Sequence, residues 1–323
     1  MKHILTISAL LLGLAFSAQA QQLGSEYRLK KVIEIPGRQG VAADGKYYYI
    51  SDTKALYKLD KEGNVLAVNH QPFRNPEVAN HFGDIDCHDG ELYCGLEKFE
   101  YGRGRNISVA VYDANTLQWK CDLPWAPESG QVEVSGLAVD REHNMVWMSD
   151  WVDSRYVYGY DLATGKYHSK IQCRPTPYWC QGIFIAGDKM LFAADDGEAA
   201  YGIPDNIYVM EIGDVPFTGL AAGEEAVRDT PFSVKLGADG KPEMRRGLVA
   251  AGAKGGKVSH FREMTDFRRA GEIEGLAIDP SNDDLLVVNN RGTTIVLGMS
   301  QGPITSEGYT GEIHELYVYE KIK

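Results

Sequence analysis

The chain has 323 residues, of which 45 are acidic and 33 basic, giving a formal net charge of −12 at pH 7. This acidic balance argues against a nucleic acid as the partner. Hydrophobic residues make up 44% of the chain, as in ordinary globular proteins, and 35 glycines indicate many tight turns.

The first twenty residues have the parts of an export signal. A basic start precedes an apolar run over residues 4–16, and residues 18–20, Ala-Gln-Ala, match the small-x-small pattern of signal-peptidase sites. The rival interpretation is a membrane anchor, but the run is shorter than the roughly 20 residues needed to cross a bilayer. We therefore predict a signal peptide over 1–20, no membrane span, and export to the periplasm or the extracellular space.

One pattern then recurs along the chain: a polar residue, a glycine or aspartate, an apolar run, a turn, and a second β-prone run that ends on a polar residue. The clear copies are residues 39–52, 83–97, 135–150, 181–195 and 274–289. Short runs rich in Val, Ile, Tyr and Leu, separated by turn residues, predict strands, and no long stretch shows helical periodicity. We therefore predict an all-β protein, a β-propeller of four-stranded antiparallel blades, as a single domain over residues 21–323.

The number of blades depends on the stretch between the fourth and fifth copies. The spacings are 44, 52, 46 and 93 residues, measured between Gly40, Asp84, Gly136, Gly182 and Gly275. Either a sixth, degenerate blade lies between about Asp214 and Glu272, or the protein has five blades and a large insertion. We favour six blades, with residues 237–272 as an irregular basic insertion or part of the degenerate blade.

The two ends of the mature chain are expected to meet in one blade. Residues 27–35 alternate like a strand and precede the first copy of the pattern, while residues 313–319 form the last β-prone run. We predict that the N-terminal strand lies beside the last one, which closes the ring and removes an exposed edge.

Export permits disulfides, and five cysteines follow the signal. Cys173 and Cys180 flank a short loop with two prolines, so a bridge is more plausible there than elsewhere. Cys87 and Cys94 lie on the arms of a two-residue hairpin in which Cys94 is diagonal to Cys87, about 7–8 Å away and too far for an unstrained bridge. Small buried side chains are an equally good interpretation of these two and of Cys121.

Two copies of the pattern carry a resemblance to known proteins. They are residues 135–140 (Ser-Gly-Leu-Ala-Val-Asp) with 147–150 (Trp-Met-Ser-Asp), and 274–279 (Glu-Gly-Leu-Ala-Ile-Asp) with 288–290 (Val-Asn-Asn). These units resemble the broad six-bladed propeller group that includes gluconolactonase/regucalcin-like, strictosidine-synthase-like, NHL-repeat and SdiA-regulated proteins. The resemblance implies an architecture that proteins of unrelated activities share.

Antiparallel pairing brings two sets of residues to one mouth of the channel, because the second strand of a blade returns to the end where the first began. The starts of the first strands supply Gln39, Asp84, Ser135, Gln181 and Glu274. The ends of the second strands supply Asp52, Glu97, Asp150, Asp195 or Asp196, and Asn289 or Asn290. Nearly all are oxygen donors, of the kind that hold Ca²⁺ with about 6–8 ligands.

From these two sets we predict the roles of individual residues. The predicted metal ligands are Glu274, Asp150, Asn289 and Glu97, and the predicted ligand-binding residues at the same mouth are Gln39, Asp84, Ser135 and Gln181. The alternative is that turn-proximal Asp and Asn side chains cap loops. We expect that alternative for Asp44, Asp140 and Asp279, at the opposite end.

The resemblance also implies a chemistry for this mouth. Gluconolactonase-like proteins hold a divalent cation there with Glu, Asn and Asp side chains, and the cation polarises a lactone carbonyl and activates water. Glu274 would match the acidic ligand and Asp150 the ligand that doubles as base. Ser135 stands where those proteins have Asn before Gly-Leu, and this departure puts the full ligand set in doubt.

Other side chains offer acid–base chemistry or ligand contacts. His81 directly precedes the second copy and is a candidate proton carrier at the mouth, with an ordinary loop histidine as the alternative. Trp151 and Trp179 follow strand ends, where their rings suit stacking on sugars or packing of loops. Arg246, in the basic stretch, suits an anionic group, with a solvated loop as the alternative.

Two functions are compatible with these patterns. One is an exported, calcium-supported hydrolase of a lactone or ester, with Asp150 and His81 as catalytic residues at the channel mouth. The other is a non-catalytic extracytoplasmic protein that binds a ligand or serves as a scaffold. In both cases we expect a monomer whose partner is a small molecule or carbohydrate.

Overall fold

The computed structural model describes residues 21–100, 103–151, 154–197, 203–212, 254–267, 271–291 and 311–323. Within these ranges the protein is almost entirely β-structure, with 20 strands and one 3₁₀ turn, Pro127–Ser129. In the described part no helix is long and apolar enough to cross a membrane. The predicted signal peptide, residues 1–20, lies outside these ranges.

The strands form antiparallel units of four, and in the first four units the strands lie in the order in which they follow along the chain. The first unit contains β2 (Val41–Ala43), β3 (Tyr48–Asp52), β4 (Ala55–Leu59) and β5 (Val65–Asn69). The second contains β6 (His81–His88), β7 (Glu91–Glu100), β8 (Arg103–Asp113) and β9 (Trp119–Pro124). The third contains β10 (Gly136–Asp140), β11 (Met145–Ser149), β12 (Tyr156–Asp161) and β13 (Tyr167–Arg174).

The last two units are completed by distant segments. The fourth contains β14 (Cys180–Ala186), β15 (Lys189–Ala194), β16 (Asn206–Glu211) and β17 (Lys254–Glu263). The fifth contains β18 (Glu272–Ile278), β19 (Leu285–Arg291), β20 (Ile313–Lys321) and, from the start of the chain, β1 (Tyr27–Glu34). The strand β17 also pairs with β13 in parallel, which joins the third and fourth units into one sheet of eight strands.

The first strands of the units surround a common centre. Each first strand contacts the next one around the ring: β2 contacts β6, β6 contacts β10, β10 contacts β14, β14 contacts β18, and β18 contacts β2. Buried apolar clusters lie between neighbouring units; one of them packs Tyr49 and Leu56 of the first unit against Phe82, Leu92 and Tyr112 of the second. This radial arrangement of four-stranded sheets is consistent with a β-propeller, as the repeat predicted.

The predicted meeting of the chain ends is confirmed. The strand β1 pairs with β20 in antiparallel register, from Tyr27 opposite Lys321 to Glu34 opposite Glu315. The outermost strand of the fifth unit therefore comes from the opposite end of the chain to the other three, and both described ends are held in one sheet.

The cysteines are free thiols, and four of the five are buried. The hairpin register places Cys87 opposite Leu92 and Cys94 opposite Ile85, which confirms the diagonal relation that argued against a bridge there. The predicted Cys173–Cys180 bridge is wrong in this structure, because both thiols pack as apolar groups in the cluster between the third and fourth units.

The stretch for which a sixth blade was predicted is described in part. Residues 254–263 form β17, the outermost strand of the fourth unit, and β18 begins at Glu272. The rest of the stretch predicted to form the sixth blade, residues 213–253 and 268–270, lies outside the described residues and includes most of the basic stretch 237–272.

Candidate functional site

The ring has two ends, which we call the first mouth, where the first strands begin, and the second mouth, where they stop. At the first mouth, strand starts lie beside the ends of the returning strands, as in the pairs His81–Glu97 and Glu272–Asn290. The predicted convergence of two residue sets on this mouth is therefore present in the backbone.

Asp84 lies at the centre of the ring. Its carboxylate accepts the backbone N–H groups of Ile85 at 2.9 Å and Ile183 at 3.2 Å, and also that of Val41. Burial raises the pKa of Asp84, while these N–H groups favour its charged form. This predicted ligand-binding residue braces the first, second and fourth units.

The recurring glycines make room for this side chain. A Cβ on Gly40 would lie 2.6 Å from Asp84 Oδ1, and a Cβ on Gly182 would lie 3.0 Å from Oδ2. A Cβ on Gly275 would lie 2.6 Å from the Cα of Gly40. Such separations leave no space for a methyl group, so glycine is required where the first strands crowd around Asp84.

Two further predicted site residues hold a backbone segment beside the mouth. Glu97 Oε2 accepts the N–H of Val134 at 3.0 Å. Asp150 Oδ1 accepts two N–H groups of the same segment, residues 132–134, at 3.1 and 3.0 Å, and its Oδ2 accepts the Tyr158 hydroxyl at 3.0 Å. These oxygens therefore position the chain that leads into β10.

The remaining oxygen of Glu97 faces a histidine. His81 Nδ1 lies 3.0 Å from Glu97 Oε1, and the His81 side chain is 19% exposed while that of Glu97 is fully buried. Burial raises the pKa of Glu97 to about 8. Burial, followed by the charge of Arg38, lowers the pKa of His81 to about 4. This His81–Glu97 pair, which we call the dyad, thus keeps the imidazole neutral over the physiological range.

A second group of polar side chains lies on the other side of Arg38. His314 Nδ1 lies 2.9 Å from Asn290 Oδ1, and Asn290 Nδ2 donates to Glu272 at 3.4 Å and to Glu274 at 3.5 Å. Burial and then the charge of Arg38 lower the pKa of His314. Burial and the neighbouring Glu272 raise the pKa of Glu274. This mouth therefore combines carboxyl groups whose pKa is raised with histidines whose pKa is lowered.

Arg38 is the cation between these groups. Its Nη2 lies 3.8 Å from Glu272 Oε2, and its Nε is buried and has no hydrogen-bond partner within the described part of the chain. Its charge acts on His81 and on His314, which come from the second and fifth units. The mouth cluster is defined by Arg38, His81, Glu97, Glu272, Glu274, Asn290 and His314.

Sequence reasoning missed Arg38, Glu272 and His314. Glu272 and Glu274 are two residues apart on β18, a spacing that places both on one face of a strand and was available as a signal. No comparable signal pointed to Arg38 or His314, because their positions depend on how the first and fifth units meet.

The other predicted residues are more scattered. Ser135 Oγ donates to the carbonyl of Cys180 at 2.6 Å and is structural. Gln181 lies at a register shift in β14. The Gln39 carbonyl accepts the N–H of Gly275 at 2.8 Å, which ties the first unit to the fifth. Arg246 lies outside the described residues.

The two predicted tryptophans are brought together. The rings of Trp151 and Trp179 lie 4.8 Å apart at 48°, and the backbone N–H of Trp151 donates to Glu133 Oε2 at 2.9 Å. Trp179 is buried, so its ring packs on Trp151 rather than presenting an open face. The pair forms one wall beside the segment that Asp150 holds.

The proposed calcium ligands differ in how their oxygens are used. Both oxygens of Glu97 and both of Asp150 already accept hydrogen bonds or face His81. Among the described residues no group of three or more His, Cys, Asp or Glu side chains is placed to hold a metal ion. Asn289 is buried with both side-chain polar atoms unpartnered. Of the four predicted ligands, Glu97 and Asp150 thus use their carboxylate oxygens within the protein.

The second mouth carries a cavity of about 580 Å³, lined among others by Gln21, Cys87, Arg141 and Ile185. The guanidinium of Arg141 in this lining is engaged. Asp86 and two backbone carbonyls accept from the Arg141 guanidinium. At the first mouth, by contrast, Arg38 Nε and both polar atoms of Asn289 are buried without a partner in the described part of the chain.

The acidic residues of the second mouth cap turns, as expected. Asp44 Oδ1 accepts the N–H groups of the next turn at 2.8 and 2.7 Å. Asp140 Oδ1 accepts those of Glu142 and His143 at 3.2 and 3.0 Å. Asp279 Oδ1 accepts the N–H and hydroxyl of one serine at 3.0 and 2.8 Å. Their carboxylates stabilise local turns.

Neither a family model nor a curated protein matches the chain. Among solved structures, a glutaminyl cyclase from Myxococcus xanthus is similar, with a TM-score of 0.48, 9% identity, and 90% of this chain and 97% of that chain covered. A nidogen/laminin complex is similar with a TM-score of 0.38, 11% identity, and 55% of this chain and 60% of that chain covered.

Proposed function

We propose that the protein hydrolyses a small carbonyl compound, a lactone or ester, by general acid–base chemistry at the first mouth. The observation that supports this proposal is the dyad, in which a buried carboxyl group orients the ring of a partly exposed histidine at 3.0 Å. A histidine held by a carboxylate in this way is the arrangement that enzymes use to take a proton from a nucleophile.

The dyad has two states with different chemistry. While Glu97 holds its proton, it donates to Nδ1, and Nε2 of His81 carries the ring hydrogen and acts as a donor. Once Glu97 is ionised, it accepts from Nδ1–H, and Nε2 becomes a base. Because burial raises the pKa of Glu97 to about 8, the basic form grows as the pH rises towards that value.

In the proposed reaction, His81 Nε2 takes a proton from water while the water oxygen bonds to the carbonyl carbon. The guanidinium of Arg38, with its unpartnered Nε, stabilises the developing oxyanion. The C–O bond to the alkoxide then breaks, and the proton passes from His81 to the leaving oxygen. A lactone gives one hydroxy acid, and an ester gives an acid and an alcohol.

A panel of lactones and esters, assayed over a range of pH, tests the proposal. We expect turnover to increase with a midpoint near the Glu97 pKa of about 8. Replacement His81→Gln should lower kcat by about 10²–10⁴-fold, the usual contribution of a general base. His143→Gln is the matched control, since that histidine lies at the second mouth against Asp140. Unchanged turnover in His81→Gln would contradict the proposal.

The second candidate is ligand binding without catalysis. It is favoured by the engagement of Glu97 and Asp150 with backbone N–H groups, which gives both carboxylates a structural role. Binding to the panel without turnover would support it. Calcium dependence is a separate prediction, and turnover measured with added Ca²⁺ and with a chelator tests it.

The number of blades and export from the cytoplasm are also proposals. We infer five blades, because the first strands of the fourth and fifth units contact each other directly and no described strand stands between them. An experimental structure that includes residues 213–253 tests this count. Export remains a prediction from residues 1–20, and fractionation with N-terminal sequencing of the mature protein tests it.

A further inference from the structure

One polar side chain on the strand β19 has no partner for either of its polar atoms. Asn289 is 1% exposed, and neither its Oδ1 nor its Nδ2 has a hydrogen-bond partner in the described structure. A buried amide whose polar groups are left unpaired lowers the stability of the folded state. Such a side chain is expected to bind a group that the protein itself does not supply.

The next residue on the same face of β19 also has buried polar atoms without partners in the described structure. Arg291 is two residues further along, and its Nε and Nη1 are buried and unpartnered in the same part of the structure. Its Nη2 forms an ion pair with Glu315 Oε1 at 2.8 Å, and Glu315 also accepts the hydroxyl of Tyr317 at 3.0 Å. The charge of Arg291 is therefore already balanced, while two of its nitrogens still have hydrogens to donate.

The backbone at Gly271 keeps side chains away from this amide. A Cβ on Gly271 would lie 3.0 Å from Asn289 Nδ2 and 3.1 Å from the Cβ of Arg291. Only a residue without a side chain fits there. Together the unpartnered groups on this face of β19 offer several donors and one acceptor, and they carry no unbalanced charge.

We propose that this set, Asn289 with Arg291, binds a neutral amide group: a carboxamide, a peptide bond or a lactam. The ligand carbonyl accepts from Asn289 Nδ2 and from an Arg291 N–H, and the ligand N–H donates to Asn289 Oδ1. A carboxylate would add an uncompensated negative charge beside Glu315, and an ammonium group would face Arg291. Burial penalises both charged alternatives more than a neutral amide.

The burial of these atoms has a kinetic consequence. Since Asn289 is 1% exposed, a ligand reaches it only when this end of the ring opens locally. We therefore expect association to be slower than the about 10⁵–10⁷ M⁻¹s⁻¹ of encounters with open surfaces.

The test uses saturation-transfer NMR on the full chain with N-methylacetamide, acetate and methylammonium as probes. We expect transfer to the amide and none to the two ions. Asn289→Leu, which has a similar size and no polar atoms, should abolish the transfer while unfolding at the same or a higher temperature, because it removes unpaired buried groups. Asn115→Leu, at an exposed turn, is the matched control and should retain the transfer.

Three results would overturn the proposal: no transfer to the amide, equal transfer in Asn289→Leu, or stronger transfer to acetate. If the parent protein shows no transfer to the amide and Asn289→Leu unfolds at a lower temperature, the polar atoms of Asn289 bind a structural water only. Asn289→Asp guards against a folding defect, since it keeps the size and should still lose the transfer. The test involves no turnover, so its failure is separate from a failure of the proposed hydrolysis.

Discussion

The two mouths of the ring use the same residue types in different ways. At the second mouth, Asp44, Asp140 and Asp279 accept the N–H groups of the turns beside them, and Asp86 holds Arg141. At the first mouth, carboxyl groups face a histidine, an asparagine or each other, and Arg38 keeps an unpartnered nitrogen.

This difference shows that a cavity and a cluster of unpartnered polar groups need not lie at the same end of the ring. The cavity of about 580 Å³ lies at the second mouth, where Arg141 and the turn-capping carboxylates are hydrogen-bonded within the protein. Buried polar groups are normally hydrogen-bonded, so those that are not mark positions where a ligand or water completes the structure. The first mouth holds such positions at Arg38 Nε and at both polar atoms of Asn289.

The largest effect is expected when the centre of the ring is changed. Asp84→Ala leaves the N–H groups of Val41, Ile85 and Ile183 without an acceptor, and each costs about 1–3 kcal/mol, so the free energy of unfolding should fall by at least about 3 kcal/mol. Chemical denaturation measures this loss. A change below about 1 kcal/mol would show that Asp84 does not brace the units.

A glycine substitution compares the two mouths by size alone. Gly275→Ala places a Cβ 2.6 Å from the Cα of Gly40. Because this neighbour is a backbone atom and cannot rotate away, we expect the free energy of unfolding to fall by about 3 kcal/mol. Gly90→Ala, in a second-mouth turn, meets no atom within 4 Å and has only the strain of its φ of 77°, about 1–2 kcal/mol. Thermal unfolding of both variants ranks them, and equal losses would contradict the crowding.

The pH dependence of stability separates the dyad from an ordinary surface pair. The folded protein holds the Glu97 proton up to about pH 8, whereas the unfolded chain releases it near its ordinary value. Stability should therefore fall with rising pH. Lowering of the His81 pKa to about 4 acts in the opposite direction up to about pH 6.5, where the unfolded histidine loses its proton.

Above about pH 6.5, the loss due to Glu97 is unopposed by His81, with a slope of up to about 1.4 kcal/mol per pH unit until about pH 8. Glu274, whose pKa is also raised, adds in the same direction. In Glu97→Gln the slope between these values should be reduced, as measured by denaturation at a series of pH values. If stability depends on pH with the same slope in the parent protein and in Glu97→Gln, a group other than Glu97 titrates in this range.

The smallest effect is expected from an acidic residue of the second mouth. In Asp44→Asn the Tyr49 hydroxyl loses its carboxylate acceptor, while Oδ1 can still cap the turn. A single such hydrogen bond is worth about 0.5–1.5 kcal/mol, and the proposed hydrolysis should be unchanged. A large loss of stability or turnover would remove the distinction between the two mouths.

Strand content and the convergence of residues at one mouth could be predicted because both follow from local patterns. Alternation and turn residues define each strand, and antiparallel return places Glu97 beside His81. The pairing of β1 with β20 followed from the same reasoning, since an unpaired edge at each end of the chain favours closure.

The roles of the polar side chains could not be predicted in this way. Asp84 looked like a ligand-binding residue, yet its acceptors are used by N–H groups of three units that meet only in the folded ring. Arg38 lies between His81 and His314 because the fifth unit contacts the first, and nothing local to Arg38 encodes that neighbour. Asn289 was predicted as a metal ligand at this mouth, and no local pattern indicated that both of its polar atoms would be buried without a partner among the described residues.

The most direct test of the account is an NMR titration of the His81 ring, which requires no substrate. The account predicts a neutral imidazole down to about pH 4, and a change of tautomer near pH 8 as Glu97 loses its proton. That second step should disappear in Glu97→Gln. Protonation of His81 near its ordinary pKa of about 6.5, with no step at higher pH, would contradict the buried dyad and with it the proposed chemistry of the first mouth.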